Sequence, residues 1–139
     1  MIGFIEKLRK KGLQKAIKKC ERALQQDPQD FKTRLRLADL YVRVGQKERA
    51  VEEYLLLADL FEAEDIHAKA VAVYKKVLAL DPHLSQAHYA LADLYAKRGL
   101  FGEAKKHLKK LLELSPEDEQ AQRKLEQVEM EERLRSKPS

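Results

Sequence analysis

Four histidines and one cysteine are the residues from which reaction chemistry would have to be built. His67, His83, His88 and His107 contain no i, i+4 pair, and Cys20 is the only thiol, so the ligand spacing of a metal site is lacking. There is no Gly-rich phosphate loop, no His-Glu-x-x-His, and no Ser or Cys nucleophile beside a base. The sequence therefore predicts no enzyme, no cofactor and no metal. Cys20 falls on the apolar stripe of its helix, which predicts an inert buried thiol. The chemistry left is that of recognition, and it centres on Asp39 and Asp93, which stand in two of the three copies of one repeated pentapeptide.

That pentapeptide occurs as Leu37-Ala38-Asp39-Leu40-Tyr41, Leu57-Ala58-Asp59-Leu60-Phe61 and Leu91-Ala92-Asp93-Leu94-Tyr95. Downstream of each stands an alanine (Ala50, Ala70, Ala104), then Tyr54, Tyr74 or Leu108, then Leu57, Val77 or Leu111. Pro28, Pro82 and Pro116 close units, and Gly12, Gly45 and Gly99 are expected in the turns between helices. Leu, Ala and Tyr at i, i+1 and i+4 share one helical face, and the small Ala lets a second helix approach closely.

These repeats resemble the tetratricopeptide repeat family, whose unit is roughly 34 residues long. One match runs through Leu91-Ala92, Tyr95, Gly99, Ala104, Leu108, Leu111 and Pro116; a second through Leu37-Ala38, Tyr41, Gly45, Ala50, Tyr54 and Leu57. A third runs through Leu57-Ala58, Phe61, Ala70, Tyr74, Val77 and Pro82. An incomplete first unit is read from Ala16, Cys20, Ala23 and Pro28, with Phe4 and Leu8 in a shortened first helix. The resemblance implies an all-α, right-handed α-solenoid of about eight helices. Its units are expected near 1–28, 31–64, 51–82 and 83–116, with a capping helix over 117–134 begun by Ser115 and Pro116. Residues 1–135 form the expected single domain, and 136–139 a frayed tail.

Two departures from the motif are visible. Arg34 and His88 replace the aromatic residue near the start of the first helix. The second and third units overlap, because Ala50 and Ala70 are 20 residues apart. The helix of 47–63 must serve twice, in an odd three-helix unit of 30–44, 47–63 and 66–80, and Asp65 stands where a turn Gly belongs. A bend in the solenoid is expected there.

The resemblance further implies a protein–protein interaction scaffold or adaptor whose first helices line a groove for a peptide. On a helical wheel the groove side carries Lys32, Leu35, Asp39, Val42 and Arg43, and later Gln86, Tyr89, Asp93, Ala96 and Lys97. Each set places an Asp between apolar residues, which suits a basic partner segment with apolar flanks.

The 139 residues carry a net charge of +5, concentrated early: residues 1–46 hold 12 Lys and Arg against 5 Asp and Glu. Ile2, Phe4, Ile5 and Leu8 with Lys7, Arg9, Lys10 and Lys11 offer the alternative function, an adaptor docking on a membrane surface or an acidic partner through a basic N-terminal helix. A packed first helix accounts for the same residues, and nucleic acid is disfavoured because aromatic residues do not interleave the cations. With no signal peptide or apolar span, the expected location is cytoplasmic. Met130 and Leu134 lie away from the apolar stripe of the last helix, so a monomer or a weak homodimer is expected.

Overall fold

Ala, Leu, Glu, Lys, Arg and Gln dominate the chain, and such residues, small or unbranched at Cβ, lose little on entering a helix. The computed structural model describes residues 2–136, and every regular element among them is a helix. In chain order they are α1 (Ile2–Gln26), α2 (Phe31–Arg43), α3 (Lys47–Ala63), α4 (His67–Leu80), α5 (Ser85–Lys97), α6 (Phe101–Leu114) and α7 (Glu119–Ser136). Seven helices stand where about eight were expected, because the first hairpin is one continuous rod. Gly12 lies inside α1 and not in a turn, with nothing within 4 Å of where a Cβ would stand. Its neighbours Lys10, Lys11, Leu13, Gln14 and Lys15 are ordinary or good helix formers, and one interior Gly costs only about 1 kcal/mol. Apart from Ser136, which ends α7, the expected frayed tail lies outside the described residues.

Three turns repeat one hydrogen-bond pattern. The amides of Gln46, Ile66 and Leu100 donate to the carbonyls of Tyr41, Phe61 and Tyr95 at 2.9, 2.8 and 2.9 Å. The residue before each amide is left-handed: Gly45 at φ 79°, Asp65 at φ 57° and Gly99 at φ 74°. This pattern closes a helix by satisfying its last carbonyls, and glycine adopts it without strain. Asp65 does take the place of the missing glycine; Asp tolerates this conformation better than most residues.

Helix starts use aspartate. Asp30 caps α2, accepting from the Thr33 amide at 3.2 Å and the Thr33 hydroxyl at 2.7 Å. The last helix begins later than the sequence suggested. Ser115 ends α6, and Asp118 caps α7 by accepting from the Ala121 amide at 3.1 Å. A carboxylate three residues before a free amide satisfies it and favours the positive helix start, which a hydroxyl two turns of chain away cannot do.

The helices divide into two compact units, Met1–Leu80 and Asp81–Ser139. In the first, α3 packs against both α2 and α4, as its double role in the repeat required, and α1 packs against α2. Leu37, Ala38 and Tyr41 meet Ala50, Tyr54, Leu57 and Phe61 and then Ala70, Tyr74 and Val77 in its core, all buried. In the second, α6 packs against both α5 and α7, over Leu91, Ala92, Leu94, Tyr95, Ala104, Leu108, Leu111 and Ala121. Full burial of a side chain such as Leu57 or Leu91 contributes about 1.5–3 kcal/mol before chain entropy is counted. Ala38, Ala50, Ala92 and Ala104 have essentially no exposed surface, so the helices cross at small residues as the repeat implied.

Candidate partner-binding site

An apolar concavity of the first unit lies between α2 and α4, floored by the end of α3. Phe31 and Leu35 of α2, Phe61 of α3, and Ala72 and Val73 of α4 enclose about 260 Å³. Lys32, Lys69 and Lys76 form its rim. Phe31 and Phe61 pack ring against ring at 4.7 Å between centroids, which fixes one wall. Lys69 lies 5.8 Å over the Phe61 ring, so its stem covers apolar surface while its ammonium faces solvent. A shallower hollow continues along α2 past Lys32, Leu35, Arg36, Asp39, Leu40 and Arg43. Four of the five groove residues expected on α2 therefore line these hollows: Lys32, Leu35, Asp39 and Arg43. Val42 is exposed but lines neither.

Asp39 is not waiting for a ligand. Its carboxylate accepts from the Tyr54 hydroxyl, and Lys76 Nζ stands 3.8 Å away. Asp59 receives the Tyr74 hydroxyl at 3.3 Å, and Glu62 receives it at 2.6 Å. Each aspartate of the first two pentapeptides thus meets a tyrosine 15 residues later. Burial first, then these carboxylates, push the Tyr54 and Tyr74 phenols upward, so both remain protonated donors. Burial likewise raises the Cys20 thiol, against the opposing pull of Arg36 and Lys19. These shifts move possible nucleophiles away from reactivity.

In the second unit two of the five groove residues expected on α5, Tyr89 and Asp93, are tied to α7 and its cap. Asp93 has Leu108 at the 15-residue spacing, which cannot donate, and pairs instead with Lys124 at 2.9 Å. Tyr89 donates its hydroxyl to Asp118, the cap of α7. Burial and that carboxylate push Tyr89 up to about 12, while the Tyr89 and Ala121 bonds hold Asp118 below the usual carboxylate range. Gln86 and Lys97 are exposed and Ala96 is half-buried.

Sequence reasoning missed the α4 side of the pocket. Lys69, Ala72, Val73 and Lys76 follow i, i+3, i+4, i+7, a readable stripe, but the resemblance implies that first helices line the groove, and α4 is the last helix of its three-helix unit. It also missed what replaces the absent aromatics. Arg34 binds Glu53 at 2.8 Å and the Pro28 carbonyl at 2.7 Å. His88 occupies the equivalent place, buried, with Nδ1 3.0 Å from Nδ1 of His107 and Nε2 2.8 Å from the Pro82 carbonyl. A carbonyl only accepts, so His88 carries a proton on Nε2, and of the two facing Nδ1 atoms one donates and the other accepts. The two pairs share the same 19-residue spacing, which a search for i, i+4 neighbours does not reach.

No helix of the described residues is long and apolar enough to cross a membrane, and among them no cluster of three His, Cys, Asp or Glu could hold a metal ion. The sequence profile of the tetratricopeptide repeat matches residues 8–65 and 60–128. A search of curated protein sequences finds no match. Among solved structures, MamA aligns at 23% identity and a TM-score of 0.56, covering 93% of this chain and 84% of that one. TTC0263, a thermophilic tetratricopeptide repeat protein of Thermus thermophilus, aligns at 20% identity and a TM-score of 0.52, covering 88% and 76%. A tetratricopeptide repeat protein of Parabacteroides merdae aligns at 19% identity and a TM-score of 0.50, covering 91% of this chain and 57% of that one. At these identities the likeness is one of fold: all-α, of the α-solenoid class.

Proposed function

The chain belongs to the tetratricopeptide repeat family, and from that premise we propose that it is a non-catalytic interaction module, acting in the cytoplasm, that binds a peptide segment of a partner protein between α2 and α4. The family is generally one of protein–protein interaction scaffolds, and residues 1–135 act in this reading as one module. The observation that carries the site is the apolar cavity of Phe31, Leu35, Phe61, Ala72 and Val73 rimmed by Lys32, Lys69 and Lys76. Concave apolar surface with a few placed polar groups is the usual form of a binding site.

The chemistry of the rim selects the partner. Asp39 and Asp93, from which a basic ligand was expected, each face an internal lysine. The cations around the cavity are what remains for a ligand, so the segment bound there carries a large apolar side chain flanked by carboxylates. Half-exposed pairs such as Lys76 with Asp39 are worth only about 0–1 kcal/mol, so a ligand carboxylate can displace one.

Selection of peptides from a random display library on the intact chain tests this. The selected sequences should place Leu, Phe or Met beside Asp or Glu. Leu35→Tyr, which fills the cavity from a half-buried position, should remove their binding without lowering the melting temperature. Lys32→Glu with Lys69→Glu should weaken it at least tenfold. Basic consensus sequences, or undiminished binding to Leu35→Tyr, would refute the assignment.

A further inference from the structure

Helix α1 extends well beyond its packed part. Ile17, Cys20 and Leu24 are buried and Leu13 and Ala16 half-buried, but every described residue before Leu13 is exposed. At 1.5 Å per residue the projecting part is about 16 Å long. Among its exposed residues are four large apolar side chains: Ile2 at 79%, Phe4 at 67%, Ile5 at 65% and Leu8 at 55%. The sequence expectation that a packed first helix accounts for them does not hold.

The direction these side chains face is informative. At 100° per residue, Ile2, Ile5, Leu8 and Phe4 fall within one arc of about 160°. The centre of that arc is rotated by about 110° from the stripe of Leu13, Ile17, Cys20 and Leu24 that packs on α2. A further helix stacked in the same direction as α2 would leave Phe4 and Leu8 uncovered. Arg9 lies just inside one edge of the arc, Lys11 just beyond the other, and Lys7 and Lys10 opposite. Between residues 2 and 20 there are seven Lys and Arg against one acid, Glu6. Lys7, Arg9, Lys10, Lys11 and Lys15 form no ion pair among the described residues.

We infer that the projecting part of α1 lies in the surface of an anionic bilayer, with Phe4, Ile5 and Leu8 inserted below the headgroups, Arg9 and Lys11 reaching the lipid phosphates and carboxylates at its two edges, and Lys7 and Lys10 on the water side adding attraction from within a screening length. An apolar arc edged by long cations is the form of an interfacial helix, because Lys and Arg stems reach along apolar surface to the headgroups. Arg9 and Lys11, one at each edge of the apolar arc, can both reach negative charge while the arc itself is buried, an arrangement that fits a plane of anionic headgroups over an apolar interior. The contact is interfacial only, since no described helix is apolar enough to span. It shares no residue with the α2–α4 cavity, so one end of the chain would hold the surface while another binds a peptide.

Co-sedimentation of the intact chain with vesicles decides it. The chain should pellet with vesicles of phosphatidylcholine containing about one-third phosphatidylserine, and not with phosphatidylcholine alone. Salt at about 0.5 M should release most of it, because the screening length falls to a few ångströms. Phe4→Glu with Leu8→Glu should lower partitioning at least tenfold, as should reversing Lys7, Lys10 and Lys11 to Glu. All five residues are exposed, so the melting temperature and peptide binding by the cavity should not change. Failure of the unaltered chain to bind anionic vesicles would overturn the inference. So would equal partitioning of the Phe4→Glu/Leu8→Glu chain, or capture of an acidic protein by the lysines without any vesicle binding.

Discussion

The segments 31–80 and 85–136 are two versions of one three-helix plan, and single residues decide how each face is used. Leu37-Ala38-Asp39-Leu40-Tyr41 and Leu91-Ala92-Asp93-Leu94-Tyr95 hold the same positions, and a lysine from the third helix reaches each aspartate: Lys76 to Asp39, Lys124 to Asp93. Two residues before each pentapeptide stands Leu35 in one and Tyr89 in the other. Leu35 stops short and lines the open cavity, whereas Tyr89 reaches across to Asp118 and is held there. Fifteen residues after each aspartate stands Tyr54 or Leu108; the phenol donates to Asp39, and the leucine leaves Asp93 to Lys124. Arg34 with Glu53 answers to His88 with His107 in the same manner. A shared backbone plan thus yields one segment with a lysine-rimmed cavity and one whose corresponding side chains are tied to its capping helix.

Substitutions at the paired positions can break this comparison. The largest effect is expected in the core, where Tyr54→Ala should cost about 3–5 kcal/mol and Leu108→Ala about 2–5 kcal/mol in urea unfolding. Tyr54→Phe should cost about 1 kcal/mol, the net value of its bond to Asp39, and a loss as large as that of Tyr54→Ala would mean that the hydroxyl matters more than the ring.

Turn substitutions rank next. Gly45→Ala should cost about 1–2 kcal/mol because alanine strains a left-handed turn, and Gly99→Ala about the same, since the Arg135 guanidinium that its Cβ would meet at 3.0 Å is the tip of an exposed side chain that can move aside. Gly12→Ala should instead gain about 0.5–1 kcal/mol, because Gly12 is helical with open space around it. A loss at Gly12 would restore the turn that the repeat pattern suggested. Asp65→Gly should gain somewhat less, by relieving the one described non-glycine residue at positive φ.

The smallest effect concerns pH. Side-chain and backbone bonds from Thr33 hold Asp30 below the usual carboxylate range, and bonds from Tyr89 and Ala121 do the same for Asp118. A depressed carboxyl contributes stability above its unfolded value and loses it as pH falls through the folded one. Thermal melts should therefore fall below about pH 4, and Asp30→Asn with Asp118→Asn should flatten that acid limb in both segments. An unchanged limb would show that these caps add nothing.

Much of the architecture could be read from the residues because helical repeats write their packing locally. The overlap at Ala50 and Ala70 sufficed to predict that α3 packs on two neighbours, and Asp65 in the place of glycine sufficed to predict a turn. Gly12 misled because a glycine only permits a turn, and strong helix formers around it outweigh that permission. Ser115 misled because Asp118, nearer the first free amides, competes better for the cap. On α2 the wheel alone put Lys32, Leu35, Asp39 and Arg43 on the side that carries the two hollows. What its aspartate would bind was not legible, since Tyr54 and Lys76 reach it from 15 and 37 residues away, and no local pattern announces such partners. The α4 side of the cavity was legible as a stripe, but the repeat pattern points to first helices alone.

Amide chemical-shift mapping with an acidic peptide from the display selection tests the central claim most directly. If the α2–α4 cavity is the binding site, shifts should concentrate at Phe31, Lys32, Leu35, Ala72, Val73 and Lys76 and vanish in the Leu35→Tyr chain. Shifts centred on Gln86–Lys97, with the cavity silent, would contradict the account.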